Sequence, residues 1–163
     1  MPTTIQTPSQ VAREIDATVD HALAPYAVAL LRIALGIMFI AHSLWLKLFV
    51  FTLPGTAQFF VSIGLPGSLA YLVFVAEAVG GIMLVLGVQA RWVALALAPV
   101  LAGATWAHWG NGWMFGYTDG GWEYPVYLTL LAVAQFMLGD GAWALVRSRD
   151  LTTVPRSTTE GAA

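Results

Sequence analysis

Ionisable side chains inside long apolar stretches are the residues of this sequence that could perform chemistry. Glu77 and His42 each lie within such a stretch, and Lys47 follows His42 along the same one. A helical rise of about 1.5 Å per residue places His42 roughly 12 Å and Glu77 roughly 14 Å from the same end of their helices. A carboxyl group and an imidazole at one depth can exchange protons, and an ammonium can stabilise negative charge. We interpret Glu77 and His42 as candidate catalytic residues and Lys47 as a ligand contact.

The loop between His108 and Glu123 is dense in glycine and tryptophan. Glycine allows positive φ and close backbone approach, and a glutamate in the first turn of a helix is favoured by the helix dipole. We therefore expect a structured, re-entrant cap over a site at this end of the helices. The alternative is a flexible outer loop with interfacial tryptophans. The candidate ligand-binding residues of the cap are His108, Asn111, Trp122, Glu123 and Tyr124.

Each buried ionisable residue also has a structural interpretation. A carboxylate at membrane depth must be protonated or paired, and the available partners of Glu77 are Arg32, Lys47 and His42. His42 could be a hydrogen-bonded core residue, and Lys47 could snorkel to the outer interface. Arg32 lies roughly 15 Å deeper than His42. We predict that Arg32 forms a structural ion pair or reaches the inner headgroups.

The composition indicates an integral membrane protein. Of 163 residues, 58% are hydrophobic and 10% are charged, and the mean hydropathy is +0.74. An ordinary soluble domain carries about 25% charged residues. The sequence contains no cysteine, which excludes thiolate chemistry and cysteine-held iron–sulfur clusters in this chain. A net charge of -2 with scattered basic residues argues against nucleic acid as a partner, and the lipid bilayer is the expected environment.

Four apolar segments approach the length of about 20 residues that crosses a bilayer. They lie near 26–50, 68–87, 91–109 and 123–139. The connections 51–67 and 110–122 are predicted to be loops, and a tilted fourth helix could continue to Val146. The sequence therefore predicts an all-α fold, an up-down bundle of four transmembrane helices.

The distribution of basic residues predicts the orientation of the bundle. Arg13, Arg91, Arg147, Arg149 and Arg156 fall on one side of the four segments. The opposite side has only a lysine near a helix end. Since cytoplasmic loops carry the excess of lysine and arginine, both termini are predicted to be cytoplasmic, in a multi-pass protein of the plasma membrane.

The chain divides into three parts. Residues 1–25 form a polar N-terminal segment that could contain a short amphipathic helix on the membrane surface. Residues 26–146 form the four-helix transmembrane domain. Residues 147–163 are predicted to be a disordered C-terminal tail.

A set of spaced residues resembles the DoxX family. The set comprises Leu31 to Gly36 with His42 and Lys47, then Glu77 with Gly80-Gly81, then His108, Asn111-Gly112 and Gly121-Trp122-Glu123-Tyr124-Pro125. The resemblance runs from about Leu30 to Gly139. It implies a small four-helix membrane protein of bacteria or archaea. Some members of the family are subunits of quinone-linked sulfur-oxidising enzymes, and others accompany membrane oxidoreductase complexes that answer thiol or oxidative stress.

These observations favour a component of a membrane oxidoreductase system that binds a quinone or a similar lipophilic redox molecule, with other subunits as partners. Two alternatives stay open, which are a non-catalytic scaffold or assembly subunit and a small transporter or proton pathway. Haem ligation by His42 and His108 is disfavoured because their depths differ by roughly 12 Å. No tight ligand spacing such as His-Glu-x-x-His supports a metal site. We expect neither haem nor an iron–sulfur cluster. A metal site formed by His42, Glu77, His108 and Glu123 is chemically acceptable but ranks below quinone binding.

Overall fold

A computed structural model describes residue 7, residues 20–149 and residue 151. Within this part of the chain the regular structure is helical, and the β structure is one isolated bridge between Val88 and Val146. The helices are α1 (Ala24–Ile40), α2 (Leu53–Ser62), α3 (Ser68–Leu86), α4 (Ala90–Ala107) and α5 (Glu123–Leu138). A π-helical segment, Ala41–Val50, continues α1, and a 3-10 turn, Trp109–Asn111, follows α4. The predicted all-helical fold is confirmed.

Three helices are long and apolar enough to cross a membrane. They are Ala24–Val50 with 27 residues, Ser68–Leu86 with 19 and Ala90–Ala107 with 18. The predicted fourth span, Glu123–Leu138, has 16 residues, about 24 Å of helix against a hydrocarbon core of about 30 Å. Three spans are therefore supported by length and composition, and the fourth stays a prediction.

The predicted loop 51–67 contains a helix, α2. Thr52 is its N-cap, with a positive φ of 61°, and its hydroxyl accepts a hydrogen bond from the Gly55 amide at 3.2 Å. Pro54 lies in the first turn, where the missing amide proton has no helical acceptor to lose. A threonine cap followed by a proline is a helix start signal. The helix was not predicted because the segment is short and contains several glycines and prolines, which are typical of a loop.

The last predicted span, α5, ends within a residue of its predicted limit at 139, and the continuation to Val146 that a tilted helix would allow is not found. The helix ends at Leu138, and Gly139 and Gly141 follow with φ of 93° and 72°. Glycine tolerates these left-handed conformations, which turn the chain across the end of the bundle. The Val146 amide then donates to the Gly87 carbonyl at 3.0 Å. Residues 139–146 therefore close the end of the bundle where α3 ends and α4 begins.

Small residues let α1 and α3 pack with close backbones. A Cβ on Gly36 would lie 2.8 Å from the Gly81 carbonyl oxygen, and a Cβ on Gly81 would lie 3.0 Å from the Gly36 carbonyl oxygen. Close approach at small residues is typical of membrane helix pairs, because lipid supplies no hydrophobic drive between helices. The buried apolar core contains Leu35, Phe39, Leu84, Ala94, Leu97, Leu101, Leu128 and Ala132. The close packing of α1 on α3 at Gly36 and Gly81 sets the distance between the charged residues of the first long helix and those of α3.

The predicted amphipathic helix within residues 1–25 falls mainly outside the described residues, as does most of the predicted tail 147–163.

Candidate functional site

Lys47 and Glu77 form an ion pair between the π-helical segment and α3. The Glu77 side chain is 7% exposed and the Lys47 side chain 17%. No second ion pair joins two side chains that are both within the described part of the chain. Of the three partners that the sequence offers to Glu77, the structure selects Lys47. A buried carboxylate and a nearly buried ammonium thus satisfy one another inside an apolar helix pair.

The π-helical segment changes which residues share a side of the first helix. Its hydrogen bonds join residues five apart, as in the bond from the Phe51 amide to the Leu46 carbonyl at 2.8 Å. His42 and Lys47 are five apart. An α-helix would separate them by about 140° around the axis, whereas π-helical winding, with more residues per turn, makes this angle smaller. Sequence periodicity assumes 3.6 residues per turn and could not reveal this arrangement.

His42 turns toward α5 and away from the predicted pairing with Glu77. Its Nδ1 donates to the Met38 carbonyl at 2.9 Å, and its ring stacks on Tyr124 with centroids 6.2 Å apart and planes at 25°. Within residues 20–149, no hydrogen bond or ion pair joins His42 to Glu77. The helical-depth argument fixed only their height, and the direction of each side chain depends on the winding of the π-helical segment.

The predicted cap is an ordered loop held by its own polar groups. The Asn111 side-chain amide donates to the Asp119 carbonyl at 2.9 Å and to the Gly120 carbonyl at 3.0 Å. His108 Nδ1 also lies 3.1 Å from the Asp119 carbonyl. The Glu123 amide donates to the Trp113 carbonyl at 3.1 Å, which joins the start of α5 to the loop. These bonds close the loop against the ends of α4 and α5.

Aromatic rings complete the cap. Trp122 stacks on Trp109 with centroids 4.6 Å apart and meets Trp113 edge-on at 4.5 Å. Tyr124 contacts Phe115 at 5.2 Å, and Tyr124 also contacts the His42 ring. The Glu123 carboxylate accepts a hydrogen bond from the Phe115 amide at 3.0 Å.

Four of the five candidate ligand residues in the cap therefore hold the loop together: His108, Asn111, Trp122 and Glu123. Tyr124 links the cap to His42. Among the described residues, no hydrogen bond, ion pair or ring contact connects the cap to Lys47 or Glu77.

Arg32 is held by carbonyl oxygens where the sequence predicts an ion pair. Its guanidinium donates to Leu84 at 3.0 Å, to Val85 at 3.4 Å and to Ala142 at 3.0 Å, and the residue is 1% exposed. Leu84 and Val85 lie in the last turn of α3, where helix carbonyls lack helical donors and carry partial negative charge. No carboxylate of the described chain lies within ion-pair distance of it. The structural role holds, with backbone dipoles in place of an acidic partner.

Asp140 accepts hydrogen bonds at the same end of the bundle as Arg32, and it was not identified as a functional residue from the sequence. Its carboxylate accepts from the Arg91 amide at 3.0 Å and from the Ser148 hydroxyl at 2.9 Å, and it also binds the Ser148 amide. It thereby caps the first turn of α4 from a distant part of the chain. The available signal was the pair of glycines on either side of Asp140. Such glycines indicate a turn, but they do not show which groups the Asp140 carboxylate will bind.

No group of three or more metal-ligating side chains forms in the region that the structure covers.

Comparison with known proteins places the chain in a family. The sequence model of the DoxX family matches residues 27–109, slightly more than half of the chain. The chain belongs to the DoxX family. The match contains Arg32, His42, Lys47, Glu77 and His108, so the ion pair lies within the DoxX region. The resemblance over residues 110–139, which include most of the cap and α5, extends beyond the matched region.

One relative of this DoxX protein is "Putative oxidoreductase CatD" of Bacillus subtilis (strain 168), which is 41% identical over 75 residues. The alignment covers 46% of this chain and 54% of the relative, so the chain spans about half the length of that protein. No solved structure matches the chain. Family membership and the three apolar helices together identify a multi-pass membrane protein.

Proposed function

We propose that this protein is a component of a membrane oxidoreductase system and that it binds a quinone or a similar lipophilic redox molecule beside Lys47 and Glu77. The observation that carries the proposal is the ion pair of these side chains within two apolar helices. Ionisable residues at membrane depth are costly and mark proton or ligand sites by default. The π-helical segment adds support, since such windings are rare and occur frequently at functional sites.

The side chains around the pair suit a quinone. An ammonium carries three N–H donors, and among the described residues Glu77 is the one acceptor for Lys47. Lys47 is partly exposed, and Leu44 and Leu48 on the same segment expose 36% and 38% of their surface. A polar donor beside accessible apolar surface matches a ring that has carbonyl oxygens and an isoprenoid tail. A bound quinone would supply the two-electron acceptor that the side chains of this chain lack.

The chain's own residues would position the ligand and move protons. Lys47 would donate to a ring oxygen and stabilise negative charge there. Glu77 would hold or release a proton next to the same oxygen. His42 uses Nδ1 for the Met38 carbonyl, which leaves Nε2 as the nitrogen that can exchange a proton. Tyr124 packs on the His42 ring and would fix its orientation.

We propose that the electrons come from another subunit, since this chain contains no cysteine for thiol exchange. The Bacillus subtilis relative carries the name of an oxidoreductase, and this name supports redox chemistry in the assembly. We therefore propose that the DoxX chain is the membrane subunit of such a complex in a bacterial or archaeal plasma membrane.

Native purification tests the proposal. The full chain is extracted in polymer-bounded lipid discs, and bound quinones and co-purifying proteins are identified by mass spectrometry. We expect a quinone to be retained by wild type and lost from Glu77→Gln, since the amide neither pairs with Lys47 as an ion nor exchanges the proton. Asp119→Asn is the matched control, an isosteric removal of an exposed carboxylate at the same end.

Retention of quinone by Glu77→Gln at the wild-type level would contradict this site. A soluble redox enzyme that co-purifies equally with wild type and Glu77→Gln, with no quinone in either, would favour the scaffold alternative. Uncoupled proton flux in proteoliposomes of the purified chain, lost in Glu77→Gln, would instead favour a proton pathway.

The orientation is part of the proposal. Arg91, Arg147 and Arg149 lie at the end closed by residues 139–146, which we assign to the cytoplasm. Because the chain has no cysteine, single cysteines report their side cleanly. A membrane-impermeant maleimide should label Thr118→Cys in intact cells and label Leu151→Cys only after lysis. The reverse pattern would invert the assignment.

A further inference from the structure

A cleft of about 480 Å³ opens at the end of the bundle remote from the Lys47–Glu77 pair. It lies between the start of α1, the start of α4 and the end of α5. Pro25, Val28 and Leu138 form an apolar side of the cleft, and Arg91 and Arg147 line it with positive charge. The cleft belongs neither to the cap nor to the ion pair described above.

Arg91 is buried without a partner for its charge. The residue is 9% exposed, its Nε makes no hydrogen bond, and no ion pair or side-chain hydrogen bond to it is found among the described residues. Its guanidinium packs on the cleft wall, because a Cβ on Gly139 would lie 2.8 Å from Nη2. A buried, unpaired guanidinium is costly unless another group completes it.

Asp140 is the carboxylate of the cleft, and it is already engaged. Its oxygens accept from the Arg91 backbone amide and from the amide and hydroxyl of Ser148. It forms no ion pair with Arg91 or with Arg147 in the described chain. Arg91 also sits in the first turn of α4, where the helix dipole is positive. The cleft therefore has more positive than negative charge. Arg91, Arg147 and the start of α4 contribute the positive charge, and the one carboxylate, Asp140, already accepts hydrogen bonds from other groups.

We infer that this cleft binds the phosphate of an anionic phospholipid. A guanidinium matches a phosphate with paired hydrogen bonds, and basic pockets between membrane helices hold such headgroups. The apolar side of the cleft favours a lipid over a soluble anion. Leu138 lines the cleft and is 56% exposed, so the pocket continues onto surface that can meet acyl chains. The lipid phosphate would neutralise the charge of Arg91, and the lipid would contact α1, α4 and α5.

Lipid retention tests the inference. The full chain is placed in phosphatidylcholine nanodiscs with or without phosphatidylglycerol, and bound lipid is counted by native mass spectrometry. Wild type should retain phosphatidylglycerol over phosphatidylcholine about tenfold, as expected for a charge-assisted pair. Arg91→Gln should lose this preference, and Arg91→Lys should keep part of it. The matched control is Arg149→Gln, which removes an exposed charge at the same end outside the cleft and should keep the preference.

Thermal unfolding supplies a second readout that general misfolding would not mimic. In phosphatidylcholine alone, Arg91→Gln should be at least as stable as wild type, because it removes an unpaired buried charge. Phosphatidylglycerol should then raise the Tm of wild type and leave that of Arg91→Gln unchanged. Equal lipid preference in wild type and Arg91→Gln, or equal loss in Arg149→Gln, would overturn the site. Stabilisation of wild type by inorganic phosphate alone, to the same extent, would overturn the lipid as its ligand.

Discussion

The first long helix carries two cations at membrane depth, and the molecule satisfies them in opposite ways. Arg32 is 1% exposed and distributes its charge over three carbonyl oxygens from two segments. Lys47 is partly exposed and gives its charge to a single carboxylate, Glu77. Backbone carbonyls are fixed and cannot titrate, so the Arg32 contact is closed and structural. A carboxylate can gain a proton and an ammonium retains spare donors, so the Lys47 contact can respond to a ligand.

The largest loss of stability is expected at the closed contact. Arg32→Met should lower the free energy of unfolding by about 3–4 kcal/mol, because it removes the guanidinium donors of two carbonyls of α3 and of the carbonyl of residue 142. Reversible titration with sodium dodecyl sulfate in mixed micelles measures this change. A change below about 0.5 kcal/mol, the level of an ordinary surface substitution, would mean that the contact does not hold the end of the bundle.

At the Lys47–Glu77 contact, the double variant should be less destabilised than the single variant. Lys47→Met should cost about 2–3 kcal/mol because it strands a buried carboxylate, and the partial exposure of Lys47 keeps this below the fully buried case. The double variant Lys47→Met with Glu77→Leu should recover to within about 1 kcal/mol of wild type, since an apolar pair of similar volume replaces an ion pair well. Additive losses in the same titration would show that the two side chains do not interact.

The close packing of α1 on α3 keeps the two contacts on one rigid pair of helices. Gly36→Ala should cost about 2 kcal/mol, because its Cβ would meet backbone atoms of Gly81 and Val85 at 2.8 and 2.9 Å. Gly103→Ala is the control in α4, where a Cβ meets nothing within 4 Å and helix propensity gains up to about 1 kcal/mol. Equal effects of the two substitutions would remove the close-approach argument.

The cap should respond most weakly and only locally. Asn111→Ala removes two hydrogen bonds to the loop and should cost about 1 kcal/mol. Amide hydrogen exchange should accelerate in residues 112–122 and stay unchanged in α3. Acceleration throughout the bundle would give the cap a larger role than the contacts described here.

Much of the architecture could be predicted because bilayer length and apolar composition act over long segments. The start of the third apolar segment and the end of the first agree with the helices to within a residue or two. The helix at Leu53–Ser62 and the contacts of the segment after Leu138 were not predicted, because both depend on local glycine and cap geometry inside short segments.

The two residues of the ion pair stand out in the sequence, but their pairing with one another does not. The cost of isolated charge in lipid drew attention to Glu77, His42 and Lys47. The choice of Lys47 over His42 as partner depends on π-helical winding, to which a 3.6-residue period is blind. Arg32 binds backbone carbonyls and not the carboxylate of a predicted ion pair. Every residue has a carbonyl, so the sequence does not show which carbonyls at a helix end will accept from Arg32.

Quinone-dependent electron transfer in native membranes tests the central proposal most directly. Turnover is measured for wild type, for Glu77→Gln and for Asp119→Asn, with each chain quantified in the membrane. We predict that Glu77→Gln inserts normally and loses turnover, while Asp119→Asn keeps it. Full turnover in Glu77→Gln would contradict the assignment of the Lys47–Glu77 pair as the functional contact.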